Sequence, residues 1–437
     1  MNTYDSEQIS NLLSFHGYAL SESPENADVV ILNTCHIREK ATEKVFSDLG
    51  RLKPFKQRKE EKSEKMILAV AGCTAQAEGA EIMRRVPYVD LVLGPQTYHR
   101  LPEMLEKLNR TNSQNQKRRL VETDFPVESK FDFLPEQQII PQGSSAFLTI
   151  QEGCDKFCTF CCVPYTRGAE FSRPASAILQ EARALVSKGV QEITLLGQNV
   201  NAYHGKGLSE SEEWGLGRLL LEIAEIPDIK RLRYTTSHPR DVDNDLIQAH
   251  KKIPILMPLL HLPVQSGSDA ILKAMNRGHT SDFYRKVIDD LREARPDIAF
   301  SSDFIVGFPG ETNEDFAQTL KLINDVDFAQ AYSFSYSIRP GTPAGSMTPQ
   351  IPQTEKEDRL QTLQHLLREQ QTRFNTLWLN KTFSVLFDRL GRHDNQYIGR
   401  SPYLQPVHVK SSENILGKIL PVTINSIFPN SLEGHLL

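Results

Sequence analysis

No run among the 437 residues approaches the roughly 18 consecutive apolar positions of a membrane-spanning helix. The amino terminus also lacks the basic start and apolar centre of a signal peptide. These two absences argue for a cytoplasmic chain without a membrane partner. Charge of one sign is missing too: 50 Lys and Arg stand against 55 Asp and Glu, a formal net charge of -5. Such a chain has no global basic field, so a nucleic-acid partner must be met by local patches of Lys and Arg. Cysteine is sparse, at six residues: Cys35, Cys73, Cys154, Cys158, Cys161 and Cys162. Without a secretory signal they do not form a disulfide framework, because the reducing cytosol keeps thiols free for metals or catalysis. What the chain does have is length, enough for two or three domains.

From Asp28 to Arg100 short β-branched apolar runs (DVVILNT, MILAVAG, VDLVLG) alternate with amphipathic helical stretches, the pattern of a parallel α/β sheet. Cys35 and Cys73 each fall just after a strand. Open α/β sheets place ligands at the carboxyl ends of their strands, so these two thiols are expected to converge. Residues 1–120 form this first domain. The polar, aperiodic run from Asn109 to Arg119 reads as a linker, continued by a loose crossing over 121–142. The run KPFKQRKEEKSEK from Lys53 mixes both charge signs and reads as a solvated face.

Over 143–375 six strand-like runs recur with helices between them: SAFLTIQ, QEITLLG, RLRYTTS, LMPLLHLPV, AFSSDFIVG and AYSFSYS. That count predicts a partial, TIM-like (β/α)6 barrel whose functional loops lie at the carboxyl ends of its strands. Leu360, Leu363, Leu367, Phe374 and Leu377 keep helical spacing and predict a helix from about Thr354 to Leu379, packed on that barrel. Over 376–437 short strands alternate with Gly, Pro and Asn turns, which predicts a small all-β barrel of the sort that handles nucleic acid. The fold class is α/β, with a parallel N-terminal domain, a central partial barrel and a C-terminal all-β barrel.

Cys154, Cys158 and Cys161 form C-x3-C-x2-C in GCDKFCTFC, directly after the first barrel strand. Three thiolates on one loop can hold three irons of a 4Fe-4S cluster and leave the fourth without a protein ligand. S-adenosylmethionine (SAM) can chelate such an open iron through its amino and carboxylate groups. One electron then cleaves SAM to methionine and a 5′-deoxyadenosyl radical able to abstract hydrogen from an unactivated C–H bond. The alternative is zinc, which wants a fourth ligand. Cys162 is next to Cys161, and neighbouring side chains seldom both turn to one tetrahedral ion, so Cys162 reads as a bystander. Phe157 and Phe160 are placed to shield the cluster from water.

The segments NTCHIREKATEKVF, AGCTAQ, GCDKFCTFC with VPYTRG, LLGQNVNAY, SHPRD, HLPVQSGS, GFPGET and YSIRPGTPA follow one another along the chain. In these motifs and their order the chain resembles the bacterial radical SAM methylthiotransferases of the tRNA-2-methylthio-N6-dimethylallyladenosine synthase type, over essentially its whole length. The resemblance implies a central radical SAM barrel, a C-terminal RNA-binding TRAM module, SAM, and two 4Fe-4S clusters. The second cluster sits in the N-terminal domain, held by three cysteines and open at one iron for the sulfur to be transferred. Cys35 and Cys73 match two of those ligands. The third departs from the pattern: the family carries it in a GCQMN segment that would fall two residues before Met1, and no other cysteine replaces it. Because the chain opens directly into a helix (Ile9, Leu12, Leu13) with no strand before it, a start inside the natural protein is expected. One SAM would methylate the cluster-bound sulfur. A second would make the radical that takes hydrogen from carbon 2 of N6-isopentenyladenosine at position 37 of tRNA, an adenine presented out of its stack.

By the same resemblance Gln198 and Asn199 stand where radical SAM proteins contact the SAM amino group or ribose, although plain polar loop residues read the same way. Gly307, Pro309 and Gly310 allow a backbone turn near the SAM adenine. Arg167, Arg173 and Arg240 suit a SAM carboxylate or an RNA phosphate, and equally a surface or ion-pair role. His238 and His261 read as structural histidines before they read as ligand contacts. In the last module Arg389, Arg392, His393, Arg400 and Lys410, with Tyr397 and Tyr403 among them, offer cations and stacking faces to RNA. The implied partners are the tRNA anticodon loop, an electron-donor protein and a sulfur donor, and a monomer is the expected state. Rival readings are a sister enzyme acting on a ribosomal-protein aspartate or on threonylcarbamoyl-adenosine, and a non-catalytic iron–sulfur RNA-binding protein. Production of 5′-deoxyadenosine on reduction separates the last from the enzymes.

Overall fold

The computed structural model describes residues 1–35, 39–112, 119–126, 130–133, 141, 143–209, 211–339 and 341–437. The chain divides into two compact units. The first holds Met1–Ile140, Gly153–Asp155 and Cys161–Glu170, and the second holds Pro141–Glu152, Lys156–Phe160 and Phe171–Leu437.

In the first unit α1 (Asn2–Phe15), β1 (Val29–Thr34), α2 (Glu39–Glu61), β2 (Ile67–Gly72), α3 (Cys73–Arg85), β3 (Leu91–Leu93), α4 (Leu101–Asn112), β4 (Leu120–Glu122) and α5 (Val163–Arg167) follow one another. The four strands pair in parallel in the order β1-β2-β3-β4. Alternate residues of β2 and β3 serve two cores, as the two-residue period of a strand requires. Ile67, Ala69, Ala71, Leu91 and Leu93 pack with Ile9, Leu101, Leu105 and Leu108, while Leu68, Val70 and Val92 pack with Val45, Leu49 and Ile82. All six residues of β2 are therefore buried, which is why it reads as an unbroken apolar run. The linker expected at 109–119 is helix as far as Asn112, residues 113–118 lie outside the described residues, and β4 follows inside the expected crossing. Of that crossing, 127–129, 134–140 and 142 also lie outside the described residues. In the charged run from Lys53, Lys56 and Lys59 turn inward to Asp90 and Asp28, and the other charged side chains face water.

The second unit begins with β5 (Ser145–Thr149), the short antiparallel pair β6 (Gln151–Glu152) and β7 (Phe171–Ser172), α6 (Ala175–Ser187) and β8 (Glu192–Leu196). The hairpin β9 (His204–Lys206) and β10 (Glu213–Gly215), α7 (Leu216–Ala224), β11 (Arg231–Tyr234) and α8 (Asn244–Lys252) come next. β12 (Leu259–His261), α9 (Asp269–Ala274), α10 (Ser281–Ala294), β13 (Ala299–Val306), α11 (Asn313–Val326), β14 (Gln330–Ser335) and α12 (Gln353–Thr376) complete the α/β part. Parallel sheets β5-β8-β11 and β12-β13-β14 are joined by a bridge from Leu232 to Leu256, so six strands run in chain order, as the sequence predicts. β12 is shorter than its apolar run because Pro258 and Pro263 have no N–H to give a ladder. Leu148, Ile193, Leu195 and Leu232 are fully buried on one face of the strands. Their alternates Phe147, Glu192, Thr194 and Arg233 line the other face.

β15 (Thr382–Leu390), β16 (Gln396–Arg400), β17 (Pro406–Lys410), β18 (Ile419–Phe428) and β19 (Ser431–Leu436) close into a five-stranded barrel in the order β15-β16-β17-β19-β18. Its core holds Val385, Phe387, Val407, Val409, Val422, Ile424 and Leu432. Two buried arginines of β11 grip its backbone: Arg231 donates to Arg400 O at 2.9 Å and Ser384 O at 2.7 Å, and Arg233 to Pro402 O at 2.8 Å and Ser401 O at 3.0 Å. Glu192 is shared by the two cations, at 3.7 Å from Arg231 and 3.0 Å from Arg233.

Candidate functional site

In the first unit Thr34 pairs with Gly72 at the ends of β1 and β2, so Cys35 and Cys73 are the next residues on two adjacent strand ends. Gly72 makes this approach possible: its φ is 94°, and a Cβ there would lie 2.3 Å from Thr34 O. Thr74 Oγ1 donates to Cys35 O at 2.9 Å and ties the two ends together. Cys73 is buried and opens α3, where the helix N-terminus favours a thiolate. Burial pushes its thiol up, the Arg167 guanidinium works against that, and Asp5 and Cys35 add to it. Arg167 Nε donates to Cys73 Sγ at 3.3 Å, and its other arm meets Asp5 Oδ2 at 2.6 Å. Asp5 also faces Lys130 at 3.6 Å. Burial alone would raise the Asp5 carboxyl, but the charges of Arg167 and Lys130 outweigh it and hold the group below its ordinary value. Arg167 is thus a buried ion-pair residue, 3% exposed, and is not presented to an RNA phosphate. The two thiols fit two of the three thiolate positions of an iron–sulfur cluster.

The GCDKFCTFC loop follows β6. Its first turn is fixed by Gly153, with φ 75°, where a Cβ would stand 1.9 Å from Ala169 O. Cys154 N–H donates to Gly168 O at 3.3 Å, and Asp155 Oδ1 accepts from Glu170 N–H at 3.0 Å. Cys161 Sγ accepts from Val163 N–H at 3.5 Å, and Cys162 is the residue before α5. In the second unit Asn276 Nδ2 donates to the carbonyls of Lys156 and Phe157 at 3.2 and 3.1 Å, holding Phe157 at φ 48°. Thr159 Oγ1 donates to Ala274 O at 2.9 Å. Cys158, between these anchors, is 7% exposed, and Arg277 Nη1 donates to its Sγ at 3.5 Å. Phe160 packs with Ile271, Met275, Phe308 and Tyr336, while the Phe157 ring is 53% exposed. Among the described residues no three Cys, His, Asp or Glu side chains gather closely enough to hold a single metal ion. A 4Fe-4S cube makes no such demand, since each thiolate meets its own iron.

Beyond the carboxyl ends of β8 and β11 several buried polar atoms find no protein partner: Asn199 Oδ1, Ser237 Oγ, His238 Nε2, Arg277 Nε and His279 Nε2. They belong to one connected patch. Asn199 Nδ2 donates to Asp241 Oδ2 at 2.8 Å, Lys156 Nζ meets Asp241 Oδ1 at 2.6 Å, and the His238 and His279 rings stand 5.7 Å apart, edge to face. His238 Nδ1 accepts from Arg240 N–H at 3.2 Å, which puts the ring proton on the unpartnered Nε2. Burial first, then the charges of Arg277, His279, Lys156 and Arg240, keep His238 far below its ordinary value and neutral. Burial and Arg277 push His279 down to about 4. Orphaned buried donors and acceptors are costly unless water or a ligand satisfies them, so the patch can take a polar ligand. Asn199 and His238 from the sequence candidates belong here, with the Arg240 side chain exposed beside Gly278. Gln198 lends its N–H to Gln151 Oε1 at 2.8 Å. Ser237, Arg277 and His279 were missed as contacts: Ser237 opens the SHPRD segment, and Arg277 and His279 lie in NRGHT, which carries a cation and no carboxylate. Arg173 donates to Thr149 O at 2.5 Å and meets Glu181 at 2.7 Å, so it too is a buried ion-pair residue. His261 meets Ser301 Oγ at 2.9 Å and Asp303 at 3.6 Å.

The GFPGET turn is held from within. Gly307, at φ 68°, donates to Glu311 Oε2 at 2.6 Å, and a Cβ there would lie 2.4 Å from the Lys356 side chain. Arg359 pairs with Glu311 at 2.8 Å, a carboxyl that burial raises. Thr312 and Asp315 form a capping box that starts α11. Pro309 is buried and Gly310, at φ 80°, is exposed.

In the C-terminal barrel Arg389, Arg392, His393 and Lys410 are exposed. Leu390 pairs with Tyr397 and Gln396 with Lys410, so these cations share the tip of one hairpin and its neighbouring strand. Arg400 is half-buried, donates to Leu404 O at 3.3 Å, and is lowered by burial. The two tyrosines expected as stacking faces are inside. Tyr397 belongs to the barrel core, and Tyr403 packs on Phe374 and Trp378 and donates to Asp297 O at 3.1 Å. Burying their rings outweighs exposing them, because each carries a large apolar area. A cavity of about 860 Å³ runs along the inner face of the six strands, past His261 and Tyr332, to Asp388, Arg400 and Asn430 of the C-terminal barrel.

Residues 148–323 match the model of the Radical SAM superfamily, and residues 1–94 match that of the uncharacterized protein family UPF0004. Among solved structures the fold is similar to TsrM, a radical S-adenosylmethionine methyltransferase from Kitasatospora setae with cobalamin and a [4Fe-4S] cluster bound. The TM-score is 0.57 at 12% identity, covering 78% of this chain and 71% of that one. It is also similar to OxsB, a cobalamin-dependent S-adenosylmethionine radical enzyme with aqua-cobalamin bound, with a TM-score of 0.53 at 13% identity, over 84% of this chain and 53% of that one. The chain thus spans about half the length of OxsB. No helix among the described residues is long and apolar enough to cross a membrane.

Proposed function

We propose, on the premise that a radical SAM domain joined to a UPF0004 domain marks a radical SAM methylthiotransferase, that this protein methylthiolates carbon 2 of N6-isopentenyladenosine at position 37 of tRNA. The observation that carries the reading is the coupling of two thiol sites in one chain: Cys154, Cys158 and Cys161 after the first barrel strand, and Cys35 beside Cys73 on adjacent strand ends. A 4Fe-4S cluster at the first set supplies, when bound, the electron that cleaves SAM to methionine and a 5′-deoxyadenosyl radical. Asn199, Ser237, His238, Arg277 and His279 offer their unpartnered atoms to the polar groups of SAM, and Gly307, Pro309 and Gly310 shape the turn assigned to its adenine. Cys35 and Cys73 hold the site from which sulfur is delivered, with SAM as the methyl donor. Arg389, Arg392 and Lys410 grip phosphates of the anticodon arm, helped by the firm seating of their barrel on Arg231 and Arg233. An electron-donor protein and a sulfur donor complete the cycle, and the protein works as a cytoplasmic monomer.

The isopentenyl-adenosine branch is favoured only by the resemblance of the NTCHIREKATEKVF segment to that branch of the family. The test is a substrate comparison with reconstituted protein, SAM and a low-potential reductant. Methylthio transfer to isopentenylated tRNA, and none to threonylcarbamoyl-adenosine tRNA or to a ribosomal-protein aspartate, is the expected outcome. Transfer to either rival substrate instead overturns the branch, and absence of 5′-deoxyadenosine overturns the enzyme.

A further inference from the structure

Of the six cysteines two are buried, Cys73 and Cys158, and each has an arginine N–H on its sulfur. The two arginines differ in their surroundings. At Cys73 the guanidinium of Arg167 has a carboxylate partner, Asp5 at 2.6 Å, which Lys130 shares at 3.6 Å. At Cys158 the guanidinium of Arg277 is fixed through its other arm to Pro263 O at 2.6 Å, and it is 6% exposed. Among the described residues no carboxylate lies within ion-pair distance of Arg277, and its Nε has no partner. The charged groups around it form no ion pair with it: His238 and His279 are neutral, the Lys156 ammonium is spent on Asp241, Arg240 adds a further cation, and Asp269 acts on His279 without pairing with Arg277. A buried cation without a carboxylate partner is costly to keep, which suits Arg277 to the negative charge of a thiolate-ligated cluster at the sulfur it touches.

We propose that Arg277 is a positioning residue that raises the reduction potential of the cluster held by Cys154, Cys158 and Cys161, through an uncompensated guanidinium hydrogen-bonded to the Cys158 sulfur. The inference rests on the proposed function. Reduction adds one electron to the cluster, so a fixed positive charge and an N–H on a ligand sulfur favour the reduced form. The electron comes from a low-potential one-electron donor, and no bond to Arg277 forms or breaks.

The test uses the full-length protein carrying Cys73→Ala, so that one cluster reports, with Arg277 intact or replaced as R277Q or R277K. Iron per chain, thermal melting and the midpoint of the cluster in an EPR-monitored redox titration are measured after anaerobic reconstitution. At the midpoint of the parent, R277Q is expected to show a reduced-to-oxidised ratio about tenfold lower, which for one electron is a shift of about 59 mV to more negative potential. R277K keeps the charge but cannot fork to both Pro263 O and the Cys158 sulfur, so its midpoint falls between the two. If R277Q fails to fold or to hold iron, R277K carries the comparison. An unchanged midpoint in either loaded variant overturns the inference, whereas absence of any cluster when Arg277 is intact overturns the proposed function instead.

Discussion

Replacing Gly153 by Ala strikes the loop that presents Cys154. The residue has φ 75°, and a Cβ built on it would stand 1.9 Å from Ala169 O, 2.6 Å from Ala169 C and 2.7 Å from Gly168 O. All three are backbone atoms and cannot swing aside. A non-glycine residue in the left-handed region costs about 1–2 kcal/mol, and overpacking against fixed atoms about 1–3 kcal/mol, so the local penalty is about 2–5 kcal/mol. The loop can relieve it by moving away from Gly168, which breaks the Cys154 N–H bond to Gly168 O at 3.3 Å and carries the thiol off its position. Gly189→Ala is the matched control, since φ there is 92° but nothing lies within 4 Å of the added Cβ, leaving the conformational cost alone. Iron per chain, the visible cluster absorbance and reductive SAM cleavage are compared in the two variants. Gly153→Ala is expected to lose most of the radical cluster, and Gly189→Ala to keep it while melting slightly lower. Wild-type iron and SAM cleavage in Gly153→Ala refute the claim that this glycine sets the cysteine loop.

Cys158→Ala should lower iron per chain and abolish reductive SAM cleavage in a protein that stays soluble, as read by iron analysis and 5′-deoxyadenosine formation. Arg233→Ala removes donors from Pro402 O and Ser401 O while Glu192 keeps Arg231 as its partner, a loss of about 1.5–3 kcal/mol for each charge-assisted hydrogen bond, measurable by urea unfolding. Arg389→Ala, Arg392→Ala and Lys410→Ala together should weaken tRNA binding and flatten its salt dependence by about one unit of slope for each phosphate no longer neutralised, read by binding titrations at several salt concentrations. His250 accepts or donates at 2.7 Å to Tyr234 Oη and is pushed down to about 3 by burial and then by Arg295. A depressed histidine stabilises the fold fully above its unfolded value near 6.5 and loses that contribution as pH falls toward 3. Denaturant unfolding at pH 7 and pH 5 should therefore show a smaller acid loss in His250→Gln than in the wild type.

The strands were legible where the chain keeps a period. DVVILNT, MILAVAG and QEITLLG read as strands because helices cover them, and the registry of Thr34 with Gly72 then follows from parallel pairing. LMPLLHLPV overstated its strand because hydropathy does not register the missing N–H of proline. β4, three residues amid polar sequence, has too short a run to show a period. The thiol motifs were readable from spacing alone, since a loop after a strand has few ways to present three sulfurs. The fates of the arginines were not readable. Arg167 finds Asp5 162 residues away, and Arg233 finds Pro402 169 residues away, so their burial is a property of the tertiary fold. Tyr397 and Tyr403 sit among turn-forming polar residues and looked exposed, but the barrel and α12 need their rings for packing. The unpartnered atoms of Ser237, Arg277 and His279 become visible only when two separate loops are brought together.

The central claim is that this chain places a methylthio group on N6-isopentenyladenosine of tRNA. Mass spectrometry of tRNA nucleosides from cells that lack the protein tests it most directly. The account predicts that the 2-methylthio nucleoside disappears while N6-isopentenyladenosine accumulates, and that the wild-type gene restores it while one encoding Cys158→Ala does not. An unchanged level of the methylthio nucleoside, or its restoration by Cys158→Ala, would contradict the account.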